Sequence, residues 1–64
     1  DKLLIESTAR LREIIIYNGV GEKLFETNNL DTKNEIDVQK FPKGIYFVKM
    51  LEGETVIVRK FVKM

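Results

Sequence analysis

Apolar positions along this chain fall in short runs separated by turn residues, and no run keeps a helical period. KLLIES (2–7) is apolar and compact enough for a strand. TARLRE (8–13) has the composition of a first helical turn, yet nothing beyond it sustains a 3.6-residue repeat. EIIIYN (13–18) is β-branched and reads as a strand. NGVG (18–21), with Gly19 and Gly21, is the strongest local turn signal. EKLFET (22–27) returns from it, so residues 13–27 read as a hairpin. Val20, between the two glycines, is expected to tuck back and plug the loop. NNLDTKN (28–34) reads as polar loop, and EIDVQ (35–39) alternates with Ile36 and Val38 on one face.

FPKG (41–44) fits a type I turn, with Pro42 at its second position and Gly44 at its fourth. IYFVKML (45–51) follows as a strand, EG (52–53) turns it, and ETVIVRKFVKM (54–64) is the last strand. About six strands, spaced roughly ten residues apart with turn chemistry between them, predict a small antiparallel β-sandwich or barrel.

The last hairpin allows a finer expectation. With Gly53 in the left-handed position of a bulge after a type I turn, Met50 faces Glu54, Val48 faces Val56 and Tyr46 faces Val58. That register matches apolar with apolar on one face, which is what selects register in a half-buried sheet. It sends Ile45, Phe47 and Ile57 to the opposite face as an exposed apolar stripe bordered by Lys49 and Arg59. Together with the tail Lys60, Phe61, Val62, Lys63 and Met64, this stripe is the candidate partner-recognition surface. Gly19, Gly21, Pro42, Gly44, Tyr46 and Gly53 are candidate structural positions. Tyr46 lies four residues after Pro42. At that spacing the tyrosine corner of immunoglobulin-like sandwiches returns its hydroxyl to the preceding loop, and a buried tyrosine needs such a partner.

Length and composition narrow the function. A 64-residue chain is one domain at most, residues 1–64. A domain of this size buries only about 60% of the surface its unfolded chain exposes. Cysteine and histidine are both absent, which removes disulfides, thiolate metal sites and the commonest general base. No apolar run reaches the roughly 18 residues needed to span a bilayer as a helix. The sequence opens at Asp1 with no signal peptide and no methionine, and reads as a piece of a longer protein.

Net charge is +1, but it is unevenly placed. Residues 1–39 carry five basic and eight acidic side chains, or −3, and residues 40–64 carry six basic and two acidic, or +4. The basic segment suits either a solvated edge guarded by lysines or a docking surface.

KGIYFVKM (43–50) has the order of an RNA-stacking RNP1 box at Lys43, Gly44, Phe47 and Val48. Ile45 stands where an aromatic is usual, Tyr46 where a small residue is needed, and Met50 replaces the last aromatic. The RNA-recognition fold also needs two helices, so no nucleic-acid partner is expected. DTKNEID (31–37) spaces Asp31, Lys33, Glu35 and Asp37 like a calcium loop, but the turn glycine is missing and a lysine replaces an oxygen ligand. Ser7, Thr8, Thr27, Thr32 and Thr55 have no base to activate them. Catalytic, cofactor-binding and metal-binding residues are all expected to be absent. An adhesion or carbohydrate-binding sandwich is the alternative reading, and the lack of tryptophan speaks against it.

Three blocks in order resemble the C-terminal sorting domain of proteins exported by the type IX secretion system of Gram-negative bacteria. IIIYNGVGEKLFE resembles that family's strand, Tyr-Asn, loop, Gly-Glx-Lys and strand block. IDVQKFPKGIYFVKM resembles its strand, Pro-Lys-Gly turn and Tyr-Phe-Val-Lys block. EGETVIVRKFVKM resembles its basic, apolar terminal hairpin arm. The resemblance implies a small immunoglobulin-like antiparallel β-sandwich that acts as a non-catalytic address at the end of a secreted cargo domain. It also implies recognition by the outer-membrane translocon and removal by a sortase-like peptidase that joins the cargo to a surface glycolipid. The route would run through the periplasm and outer membrane to the cell surface. The family usually opens with a strand bearing a Pro-Asn-Pro motif, which this chain lacks. A missing first strand would leave an open edge, so a strand-exchanged homodimer is expected at high concentration.

Overall fold

Six segments of five to nine residues, each with at least one β-branched or aromatic residue, form the strands of this protein. The computed structural model describes residues 2–8, 10–28 and 31–64. The strands are β1 (Lys2–Glu6), β2 (Glu13–Asn18), β3 (Lys23–Thr27), β4 (Lys33–Asp37), β5 (Gly44–Glu52) and β6 (Thr55–Lys63). The fold is all-β, with two antiparallel sheets packed as a sandwich. The smaller sheet pairs β1 with β4, and the larger runs in the order β3-β2-β5-β6. Among the described residues there is no helix, so the pair of helices that an RNA-recognition fold requires is lacking.

Alternation decides what each strand buries. Ile14 and Ile16 of β2 face inward with no exposed surface, beside Tyr46, Val48 and Met50 of β5. Ile5 and Ile36 close the core from the smaller sheet, and Val38 and Leu11 join them from connecting segments. Ile36 and Val38 share the buried side, as their spacing predicts. β4 itself starts at Lys33, two residues earlier than the alternation suggests, because Asp31 and Asn34 organise the preceding turn. The Asp31 amide donates to Asn34 Oδ1 (3.0 Å), and Asn34 Nδ2 donates to the Asp31 carbonyl (2.7 Å). At the far end of β4, the Gln39 amide donates to Asp37 Oδ1 (2.9 Å) and holds that carboxyl below its ordinary range.

Leu11 is a core residue that the sequence pattern does not flag. The segment around it is irregular but fastened: the Arg12 amide donates to the Leu51 carbonyl (2.6 Å) and its guanidinium to the Gly53 carbonyl (2.9 Å). These bonds carry the chain across the tip of the β5–β6 hairpin and drop Leu11 between the sheets.

The 13–27 hairpin forms as expected, with a bulge at Ile16 and Tyr17. Val20 does not plug its loop and stands 82% exposed. The Asn18 side chain organises the turn instead. Its Oδ1 accepts the amides of Val20 (3.1 Å) and Glu22 (2.9 Å), and its Nδ2 donates to Glu22 Oε1 (2.9 Å). With the turn's amides satisfied by Asn18, nothing draws the valine inward.

The last hairpin departs from the predicted register. Gly53 is left-handed (φ 61°), as expected, but it is the first residue of a two-residue loop. No non-glycine residue among those described, Glu54 included, has a positive φ, which matches a type II′ turn with glycine first. Glu52 therefore pairs with Thr55, Met50 with Ile57, Val48 with Arg59 and Tyr46 with Phe61. The strand slips by three residues from the expected pairing, an odd number, so every β6 side chain changes face. The gain is an aromatic pair: the rings of Tyr46 and Phe61 stack with centroids 5.2 Å apart.

Candidate functional site

The tyrosine corner is present. The Tyr46 hydroxyl donates to the Pro42 carbonyl, and its ring, 3% exposed, lies against Phe41 (5.3 Å) on one side and Phe61 on the other. Gly44 enters β5 at φ 152°, where a side chain is rarely accommodated, although the space around it is open. The hydrogen-bonded turn lies at Val38–Phe41, three residues before the expected 41–44, with the Phe41 amide donating to the Val38 carbonyl (3.0 Å); the segment after it aims Tyr46 into the core and Ile45 and Phe47 away from it.

Phe47 pairs with Tyr17 on one side and Lys60 on the other, and Ile45 pairs with Val62. Directly opposed residues share a face, so the outward face of the larger sheet carries Ile15, Tyr17, Ile45, Phe47, Lys49, Leu51, Val56, Val58, Lys60 and Val62. Ile15 is buried by its neighbours there, yet it stands apart from the core cluster. Ile45, Val56, Val58 and Val62 are each about half exposed. Glu13 and Glu26 lie on the same face toward β3. Glu26 accepts a hydrogen bond from Lys23 (3.0 Å), which raises the lysine above its ordinary value.

The predicted stripe is accordingly divided between two faces. Ile45, Phe47, Lys49, Lys60 and Val62 lie outward together. Ile57, Arg59, Phe61 and Lys63 point to the inner side at the β6 edge, and Ile57 and Phe61 pack against the core. Ile57 is therefore not part of an exposed stripe with Ile45 and Phe47, because the two-residue loop reverses the faces of β6. Met64 is almost fully exposed. Val56 and Val58 take the place on the outward face that the expected register gave to Ile57. The Gly-first pair in EGET was the available signal, since a two-residue loop at Gly53 and Glu54 sets this pairing.

Arg59 and Phe61 also line a groove of about 360 Å³ between β6 and the free edge of β1, floored by Leu11, Met50 and Ile57. Among the described residues, the ion pairs join Lys2 to Glu35, Arg10 to Asp31 and Lys23 to Glu26, and none involves Lys49, Arg59 or Lys60. Among the same residues, no group of three acidic side chains lies close enough to hold a metal.

The family model of the secretion system C-terminal sorting domain matches residues 1–64. The chain belongs to this family. It is thus a sorting signal of type IX secretion, in a family that is non-catalytic in general. A sorting domain implies a cargo protein and the secretion machinery as its partners, and export to the cell surface or beyond as its outcome. No curated protein and no solved structure matches the chain significantly. In this sorting domain the three sequence blocks become a turn and two hairpins that share one sheet.

Proposed function

We propose that residues 1–64 act as one sorting module, and that the outer-membrane type IX translocon reads it through the outward face of the larger sheet. A sortase-like peptidase then separates it from an N-terminal cargo domain, which is attached at the cell surface. The carrying observation is the uncovered apolar face of β5 and β6, with Ile45, Phe47, Val58 and Val62 flanked by Lys49 and Lys60. Contiguous exposed apolar surface rimmed by charge is unusual on a monomer and marks binding sites. The test is a fusion of these residues to a periplasmic reporter in a type IX-competent cell. Phe47→Glu and Val58→Glu should each hold the reporter in the periplasm as soluble protein, because both side chains point away from the core. Surface export of both variants at the wild-type level would sink this surface as the one that is read.

The groove between β1 and β6 supports a second interaction. Two strand edges face each other across an apolar floor, and such edges recruit further strands. Two copies of the chain exchange or add a strand there at high concentration. Light scattering should show a dimer at about millimolar protein, the regime in which binding worth only about 4 kcal/mol is populated. A strict monomer under those conditions removes this partner.

A further inference from the structure

The carbonyl oxygens of Val38, Gln39 and Phe41 converge on one point beside the end of β6, and the Lys63 ammonium occupies it. Its Nζ donates to them at 2.6, 2.8 and 2.7 Å. A lysine ammonium has three N–H donors, and each of these carbonyls accepts one. The next carbonyl in the turn, that of Pro42, takes the Tyr46 hydroxyl. The Tyr46 ring stacks on Phe61, two residues before Lys63. Much of the acceptor capacity of the 38–42 turn is thus committed to the end of the last strand and the aromatic beneath it.

Convergence on a single point selects for an ammonium. A guanidinium is a planar fork whose donors diverge, so it cannot satisfy three carbonyls at one position. A neutral side chain would leave all three oxygens to water. The clamp matters because β6 is an edge strand, hydrogen-bonded to β5 alone. The end of such a strand opens at low cost unless something else holds it. It also joins the two sheets, since the 38–41 turn continues from β4 of the smaller one.

Resting on the reading of this chain as an address for the type IX machinery, we infer that Lys63 is a positioning residue of that address. Its ammonium, seated in the carbonyl cradle of residues 38–41, holds the end of β6 against the β4–β5 turn. Held there, Lys60 and Val62 stay in register with Phe47 and Ile45 on the outward face. Without the ammonium the end of β6 swings free, and the face presented to the translocon loses one of its four strands at that end.

The sequence contains no cysteine, so Lys63→Cys supplies a unique thiol. Alkylation with bromoethylamine rebuilds an ammonium at nearly the reach of lysine, whereas iodoacetamide adds a neutral group of similar bulk. Backbone hydrogen exchange of the 64-residue chain is then compared across residues 59–63 and 38–41. Exchange there should speed up about tenfold in Lys63→Cys, the change that losing roughly 1.4 kcal/mol of local stability produces. Aminoethylation should restore it and the neutral adduct should not. Equal exchange in all forms, or equal rescue by the neutral adduct, overturns the clamp. Should Lys63→Cys fail to fold, the wild-type profile decides: protection at Phe61 to Lys63 supports the clamp, and its lack overturns it.

Export supplies the second readout. In the reporter fusion, Lys63→Met and Lys63→Arg should both lose surface delivery while the wild type is delivered. Delivery of both variants beside a delivered wild type overturns the positioning role and leaves the address standing. A wild-type fusion that stays in the periplasm overturns the address and the positioning role together, while the exchange profile still reports on the clamp.

Discussion

Tyr46→Ala should remove most of the protein's folding stability. The substitution removes a ring that is 3% exposed and packed between Phe41 and Phe61, and it leaves the Pro42 carbonyl without its hydroxyl donor. Truncating a buried aromatic costs about 3–5 kcal/mol. A domain this small sits near the lower end of the 5–15 kcal/mol (about) range of native stabilities. Tyr46→Phe separates the two contributions. It keeps the ring stack and loses only the hydroxyl, for a cost of about 1 kcal/mol. Urea denaturation of the three proteins provides the measurement. A Tyr46→Ala midpoint equal to that of the wild type would remove Tyr46 from the core and, with it, the role given to the Pro42–Tyr46 corner.

Ile16→Ala should cost about 2–5 kcal/mol, and Val58→Ala less than about 0.5 kcal/mol. Both residues are β-branched and both lie in the larger sheet, but Ile16 has no exposed surface and Val58 is 53% exposed. Removing Ile16 leaves a cavity at the point where β2 meets β5 and the smaller sheet, and close packing around it prevents collapse. Removing Val58 trims a side chain that already meets water. Ile57→Ala should fall between them, since Ile57 is only partly buried against the core. This order also tests the hairpin register. In the pairing of Val48 with Val56, Val58 lies beneath Tyr46 and Ile57 lies outside, so a costly Val58→Ala with a neutral Ile57→Ala would overturn the two-residue loop. A Val58→Ala as costly as Ile16→Ala would show instead that something covers the outward face.

Local chemistry determined much of this protein. The 13–27 hairpin, the run of about six strands, the corner from Pro42 to Tyr46 and the left-handed Gly53 follow from residue types and spacings that act within a few positions of one another. The block of the β2–β3 hairpin and the two blocks of the C-terminal half also carried the resemblance to the sorting family. The outward placement of Ile45 and Phe47 was legible for the same reason: once Tyr46 is known to be inside, strand alternation decides its neighbours.

What only the tertiary structure decided are the matters that depend on which distant groups meet. β6 reads T-V-I-V-R-K-F-V-K, with apolar residues on both faces, so its alternation does not say which face is inner. The stack of Phe61 on Tyr46 and the three carbonyls that receive Lys63 favour one register over the other, and both lie across the fold from the turn that starts the strand. Leu11 has no periodic partner in sequence and is buried because Arg12 is tied to Leu51 and Gly53, about forty residues away, by backbone geometry of the kind loops use to satisfy polar groups. Pattern along a chain reports short-range preference. Register on an edge strand, and the placement of an irregular segment, are settled by contacts whose cost of loop closure is met only when the whole sandwich forms.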